Sequence, residues 1–485
     1  PGGLLTLIGL SIVLFVGATM ALGIYTYTKI QGQATNYYVA GNSMPVWIIG
    51  ITLCAQAFDA NGSMGNAYLS YSNGFWSGAV IPLGIAGCLF LTGWVFAGPI
   101  HRMHLMTLPD FYRRRYSQKT ETLAAVSMLV GNIILVAGNL AGLGLLLNLV
   151  FDAGYLMMLI VISACILAYA VTGGLYATIT TSVVQVAIFI AGSLLALFWL
   201  VSNHGLASMM SQVPTEFVDV SGLLDTERGA LVNWAALISL LLGDIVAIDF
   251  MQRVIAADST TTARRGCYVA GMITLVVGLS VSLVGMFAFY LGKEPSSFLL
   301  VDIALNDLPG FVGGLLLLGI IAASMSTAAG VVLDLANLIT RNLVQRYIAT
   351  TWQDQTMLRF SRLIALPTMA AAVILAYLRP EPGVLLILAF DIVLASCFVP
   401  LAMGFFWKQS NTPGAIAGIL MGAMARLTLF FAIPDEYAGL DTLVAPLVSL
   451  FAFVVVSLAT QGRSKPKHAA LEYVPTDEEL VSGAF

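Results

Sequence analysis

The sequence predicts an all-α integral membrane protein with about thirteen transmembrane helices. Three observations predict it. Of 485 residues, 59% are hydrophobic and only 9% are charged, whereas a soluble domain carries about 25% charged residues. The mean hydropathy is +0.92. Apolar runs of roughly 20 residues, enough to cross a bilayer, follow one another with short polar breaks.

The elements follow in order. The first run, 3–27, is too long for the apolar part of a signal peptide and lacks a cleavage site, so it reads as a spanning helix. Runs at 46–71, 75–100, 121–149, 155–172 and 176–202 come next. A longer loop, about 203–230, sets Glu216, Asp219, Asp225 and Glu227 against Arg228. A second series follows at 231–254, 266–291, 311–338, 357–378 and 383–406, and then 413–432 and 439–460. Residues 1–460 therefore read as one membrane domain and 461–485 as a polar tail.

The net charge of −4 decides nothing until the charges are sorted by side. With thirteen spans, one side collects most of the Lys and Arg, including Arg102, Arg113, Arg114, Arg115, Arg253, Arg341 and Arg346. The other side keeps Arg228, Lys293 and Arg379. The positive-inside rule puts the N-terminus outside and the tail in the cytoplasm, in a plasma (cell inner) membrane. Cys54, Cys88, Cys165, Cys267 and Cys397 lie in apolar segments without metal-binding spacing and read as small buried hydrophobes.

Carboxylates inside spans are costly and mark function. Asp59, in "CAQAFDANGSMGNAY", lies deep in the second span; Asp244, in "LLLGDIVAIDFMQR", lies at the matching depth of the seventh. Five spans begin with each. Asn61, Gly62 and Gly243 fit local unwinding beside them. Two interrupted helices at matching places in two halves point to an inverted-repeat transporter with a central site. The structural alternative is a protonated carboxyl, or one paired with a buried residue such as Arg426.

Several stretches resemble the sodium/solute symporter family. They are "TNYYVAGNSMP" (35–45), "TLPDFYRRRY" (107–116), "TGGLYATITTSVVQ" (172–185), "QRVIAADS" (252–259) and "AASMSTAAG" (322–330), and they run in family order from about 35 to about 425. The pattern is nearest the choline-transporter branch, through GGLY…VVQ, Asp391 and Arg426; Asp59 is more like the proline-transporter branch. The resemblance implies the leucine-transporter fold, a 5+5 inverted repeat. Its first repeat would span 46–204 and its second 231–406, with extra helices at 3–27 and 413–460. Where the family often has Thr-Asp, this chain has Thr181–Ser182, which puts a further sodium site in doubt.

Na⁺ wants oxygen ligands, which hydroxyls and freed carbonyls supply within lipid. Ser326 and Thr327 offer adjacent hydroxyls, and the Ala323 carbonyl lies one turn earlier. The resemblance adds the carbonyls of Ala57 and Ala60. The candidate substrate residues are Gln56, Phe58, Asp59, Asn61, Asn139, Asp244 and Asp249. Acidic residues around a cavity with no Lys or Arg, Arg426 aside, disfavour an anion. They favour a small organic cation or zwitterion, such as a choline-like amine or an amino acid like proline. Phe58, Tyr68, Trp76, Trp234 and Phe250 could give cation–π contacts.

The sequence thus predicts a Na⁺-coupled symporter acting on a small molecule in the bilayer, with no nucleic-acid partner, as a monomer or homodimer. A carboxylate or sugar symporter is an alternative, as is a transporter-like sensor working with a partner. No nucleophile–base or metal pattern supports an enzyme; His101, His104, His204 and His468 sit in or near loops.

Overall fold

A computed structural model describes residues 2–296, 298–348, 351–465 and 467–468. Most of the predicted tail, 461–485, lies outside the described residues. Among these residues, ten helices are long and apolar enough to cross a membrane, or eleven with the bent pair Ala230–Val246 and Ile248–Ile255. Two further predicted spans do not appear as separate long helices.

One of them, 46–71, is cut into pieces: Val46–Leu53, Ala55–Phe58, a widened turn at 60–64, and Gly65–Asn73. The other belongs to the pair 155–172 and 176–202, which form one run, Tyr155–His204. A continuous helix of that length would extend about 75 Å, more than twice the roughly 30 Å hydrocarbon core. The run is interrupted at Gly174, where φ is +56° and ψ is −149°. A side chain there would also meet the Tyr37 carbonyl at 2.8 Å. Glycine is therefore the residue that fits the turn.

The remaining helices begin and end close to the predicted runs. Ser117 and Ser259 cap the helices Gln118–Phe151 and Thr260–Tyr290 by accepting from backbone N–H groups of the first turn. The core is continuous from Ile8 to Phe453, while the helices Asp354–Leu378, Thr412–Ala432 and Leu440–Ala459 expose many large apolar side chains, as lipid-facing helices do.

Two of the stretches that carry the family resemblance, 35–45 and 252–259, meet. Met44 pairs in parallel with Ala257. The Met44 N–H donates to the Ala256 carbonyl, and the Asp258 N–H donates to the Met44 carbonyl, each at 3.0 Å. Gln252 Nε2 donates to the carbonyls of Tyr38 and Met106.

A buried ion network lies close by. Asp110 accepts from Arg341 Nε at 2.9 Å and Arg346 NH2 at 3.1 Å, and from Asn342 Nδ2. Glu121 accepts from Asn342 and Arg346. Burial by itself would raise the Asp110 carboxyl, but Arg341 and Arg346 hold it below its ordinary value.

Candidate functional site

The first interrupted helix breaks at an aspartate, and the second breaks three residues past one. At Asp59 the chain becomes extended (φ −69°, ψ 178°), and the carboxylate caps the turn that follows, Oδ1 accepting from the Gly62 N–H at 2.8 Å. A cap of this kind satisfies an N–H that the broken ladder leaves open. In the second, Asp244–Val246 form a tight turn, Ala247 is extended, and the axis bends by 50°.

The predicted sodium residues converge on the helix Gly310–Leu338. The Ala60 N–H donates to Ser324 Oγ at 2.6 Å, which seats the first break against this helix. Ala57, Ala60, Ala323, Ser326 and Thr327 are all buried. Thr327 Oγ1 makes no close hydrogen bond, and the Asp59 carboxylate is the polar group within its reach, as it is for Asn139. A buried hydroxyl without a close hydrogen bond is costly, and its oxygen lone pairs are of the kind that can face a cation while its O–H donates to a carboxylate. Ser326 Oγ is hydrogen-bonded to Ser182 Oγ. The position where the family often carries an aspartate therefore touches the predicted sodium shell.

Other candidates divide. Asn61 and Asn139 both donate to the Leu135 carbonyl, leaving their Oδ1 atoms without partners. Asp244 is fully buried with both oxygens unpartnered, and it lies within electrostatic reach of Asp59 and Asp249. Phe58 is stacked on Phe189 at 5.1 Å. The side chain of Gln56 lies outside the described residues. Of the other aromatics, Phe250 is buried and Trp234 is exposed; Tyr68 lines a cavity with Met64, Pro382 and Val384.

Two corrections concern arginine. Arg426 is not the partner of Asp59; it is ion-paired with Asp391 at 3.0 Å and Asp441 at 2.8 Å, joining the helix Pro382–Val393 to the last two. The expectation of a core without a basic residue also fails. Arg253 is only 2% exposed and pairs with Asp249 at 2.8 Å. It sits one turn further along the same helix, so its stem and head turn inward with Asp249.

One acidic residue was not singled out from the sequence. Asp334 is buried with both oxygens unpartnered, within electrostatic reach of Asp249 and Arg253. Its signal was present: a carboxylate in the apolar run "GVVLDLANLI".

Helices broken at the centre of a bundle, facing hydroxyls on an unbroken helix, define a secondary transporter of the leucine-transporter type. A solved structure of a Na⁺-coupled sialic acid symporter, substrate-bound and outward-open, superposes with a TM-score of 0.80 at 16% identity, covering 93% of this chain and 98% of that one. A manganese transporter from Eremococcus coleocola gives 0.51 at 14% identity, covering 87% and 94%. The sodium:solute symporter family matches residues 37–422, and the chain belongs to that family. It is 24% identical to a sodium/glucose cotransporter of Vibrio parahaemolyticus over 93% of this chain and 89% of that protein. It is also 24% identical to the human high affinity choline transporter 1, over 86% of this chain and 76% of that protein. The family consists of secondary transporters rather than enzymes, and membership implies sodium use, a small-molecule substrate and a multi-pass membrane setting.

Proposed function

We propose that the protein is a Na⁺-coupled importer of a small organic cation or zwitterion, working by alternating access between repeats 46–204 and 231–406. The N-terminus is outside and the Arg-rich side is cytoplasmic. Na⁺ is held by the carbonyls of Ala57, Ala60 and Ala323 and the hydroxyls of Ser326 and Thr327. The observation that carries this reading is the seating of the Asp59 break on Ser324, with the Thr327 hydroxyl, which makes no close hydrogen bond, beside it.

The substrate class rests on charge. Asp59 and Asp244 are buried with unpartnered oxygens, and the nearby Arg253 is engaged by Asp249. A positive group on the substrate offsets the cost of those carboxylates; an anion would add to it. The choline-like amine and the proline-like amino acid both meet this requirement. A polyol is the second reading, favoured by unpartnered amide atoms on Asn61, Asn139 and Gln185. Uptake into proteoliposomes, with and without an inward Na⁺ gradient, tests the function. Competition among amines, amino acids and sugars tests the class. Uptake indifferent to Na⁺ would overturn the proposal.

Asp59→Asn preserves shape and removes charge. It is expected to weaken substrate affinity by roughly tenfold, about 1.4 kcal/mol, with normal membrane insertion. Asp244→Asn should give a smaller change of the same sign. Wild-type affinity and Na⁺ dependence in Asp59→Asn would make Asp59 a structural cap.

Ser182 carries no charge, so one Na⁺ is coupled per cycle. The Hill coefficient for external Na⁺ is expected near 1 (~1, a single coupled site). A value near 2 that Asp59→Asn reduces to about 1 would show that Asp59 completes a second coupled site.

A further inference from the structure

The helix Gly310–Leu338 carries a stripe of small and polar residues: Ala323, Thr327, Gly330, Asp334 and Asn337. The spacing is that of one helical face. Asp334 lies almost two full turns beyond Thr327, about 10 Å further along the axis, in the direction of Arg341 and the buried ion network.

The space beside this lower part of the stripe is filled by Arg253. A Cβ on Gly330 would meet Arg253 NH2 at 2.9 Å, so the glycine makes room for the guanidinium. Arg253 spends NH1 on Asp249, while its Nε and NH2 have no protein partner. Asp334 is 3% exposed and Asn337 1% exposed. Both oxygens of Asp334, and both the nitrogen and oxygen of the Asn337 side chain, lack partners. Asp249 and Asp334 are therefore two carboxylates within reach of one guanidinium. In a low-dielectric interior the second carboxylate is offset by a proton or by a second cation, and the unpartnered Asn337 side chain beside it supplies a further oxygen for the cation.

We propose that Asp334 and Asn337, with Asp249, form a second monovalent-cation site on the Arg-rich side, through which Na⁺ leaves the Ser326–Thr327 site. Arg253 is the tethered cation that takes over Asp334 once the ion has gone. The inference rests on the proposed sodium site as the ion's starting point. The lower site opens to the release side, so it adds an ion at equilibrium without adding one to the external coupling stoichiometry.

The test uses Na⁺ alone. Binding of radioactive ²²Na⁺ to the purified full-length chain in detergent is expected to saturate at about two ions per chain, from two sites of distinct affinity. Asp334→Asn should remove one ion and leave the other with unchanged affinity. Asn337→Ala, which alters no charge, should weaken the same binding event by roughly tenfold. Ser326→Ala with Thr327→Ala should remove the other ion, and the triple variant should bind none. Monodisperse gel-filtration elution confirms folding for each. If Asp334→Asn and Asn337→Ala bind Na⁺ as the parent does, the lower site is wrong. If all binding is lost with the two hydroxyls alone, the lower site is wrong and the upper one stands. If only the Asp334 and Asn337 variants lose Na⁺, the lower site stands and the sodium placement under the proposed function fails.

Discussion

Asp110→Asn is expected to lower the thermal unfolding midpoint in detergent more than any other substitution considered. The change leaves Arg341 and Arg346 in a buried network without the carboxylate that both engage. Breaking a buried pair from one side costs about 3–5 kcal/mol, because the remaining charge stays desolvated. The pH dependence has a definite sign. The folded carboxyl of Asp110 lies below its ordinary value, so its contribution is present in full above the ordinary carboxylate range. It is lost as pH falls below about 4. Asp219→Asn is the contrast. Asp219 is exposed and bonded only locally to Ser221, and exposed charges contribute little. A melting curve for Asp110→Asn that overlies the parent's would show that the network is not stabilising.

The second large effect concerns the ion. With Ser326→Ala and Thr327→Ala together, the Na⁺ concentration for half-maximal uptake should rise by roughly tenfold or more, on the order of 1–2 kcal/mol. The double change is needed because Ser326 is already tied to Ser182. Either hydroxyl alone leaves an oxygen in place. An unchanged Na⁺ dependence would move the ion elsewhere.

The membrane class and the order of helices were legible because lipid imposes long apolar runs, and those runs are visible without any contact information. Asp59 and Asp244 were legible for the complementary reason: a carboxylate in such a run stands out. Asp334 carried the same signal but lacked an adjacent Gly or Asn to suggest unwinding, and the structure shows that its helix is unbroken. Arg253 was misplaced because a basic residue near a helix end reads as a solvent-facing anchor. Its burial, its pairing with Asp249 and its packing against Gly330 are tertiary facts that reveal the inward turn. The turn at Gly174 was legible as a gap between runs, but its compactness was not: close approach to Tyr37 is a tertiary fact. The partner of Arg426 could not be chosen from sequence, since Asp391 and Asp441 reach it from different helices.

The parallel pairing of Met44 with Ala257 has a mechanical consequence. Met44 immediately precedes the first broken helix, and Ala256–Asp258 immediately follow the second. Two backbone hydrogen bonds staple these ends, each worth about 0.5–1.5 kcal/mol net. A displacement of either helix end on that side must drag the other along or break the staple. The two broken helices are thus geared together at one end, like the arms of a lever sharing a pin.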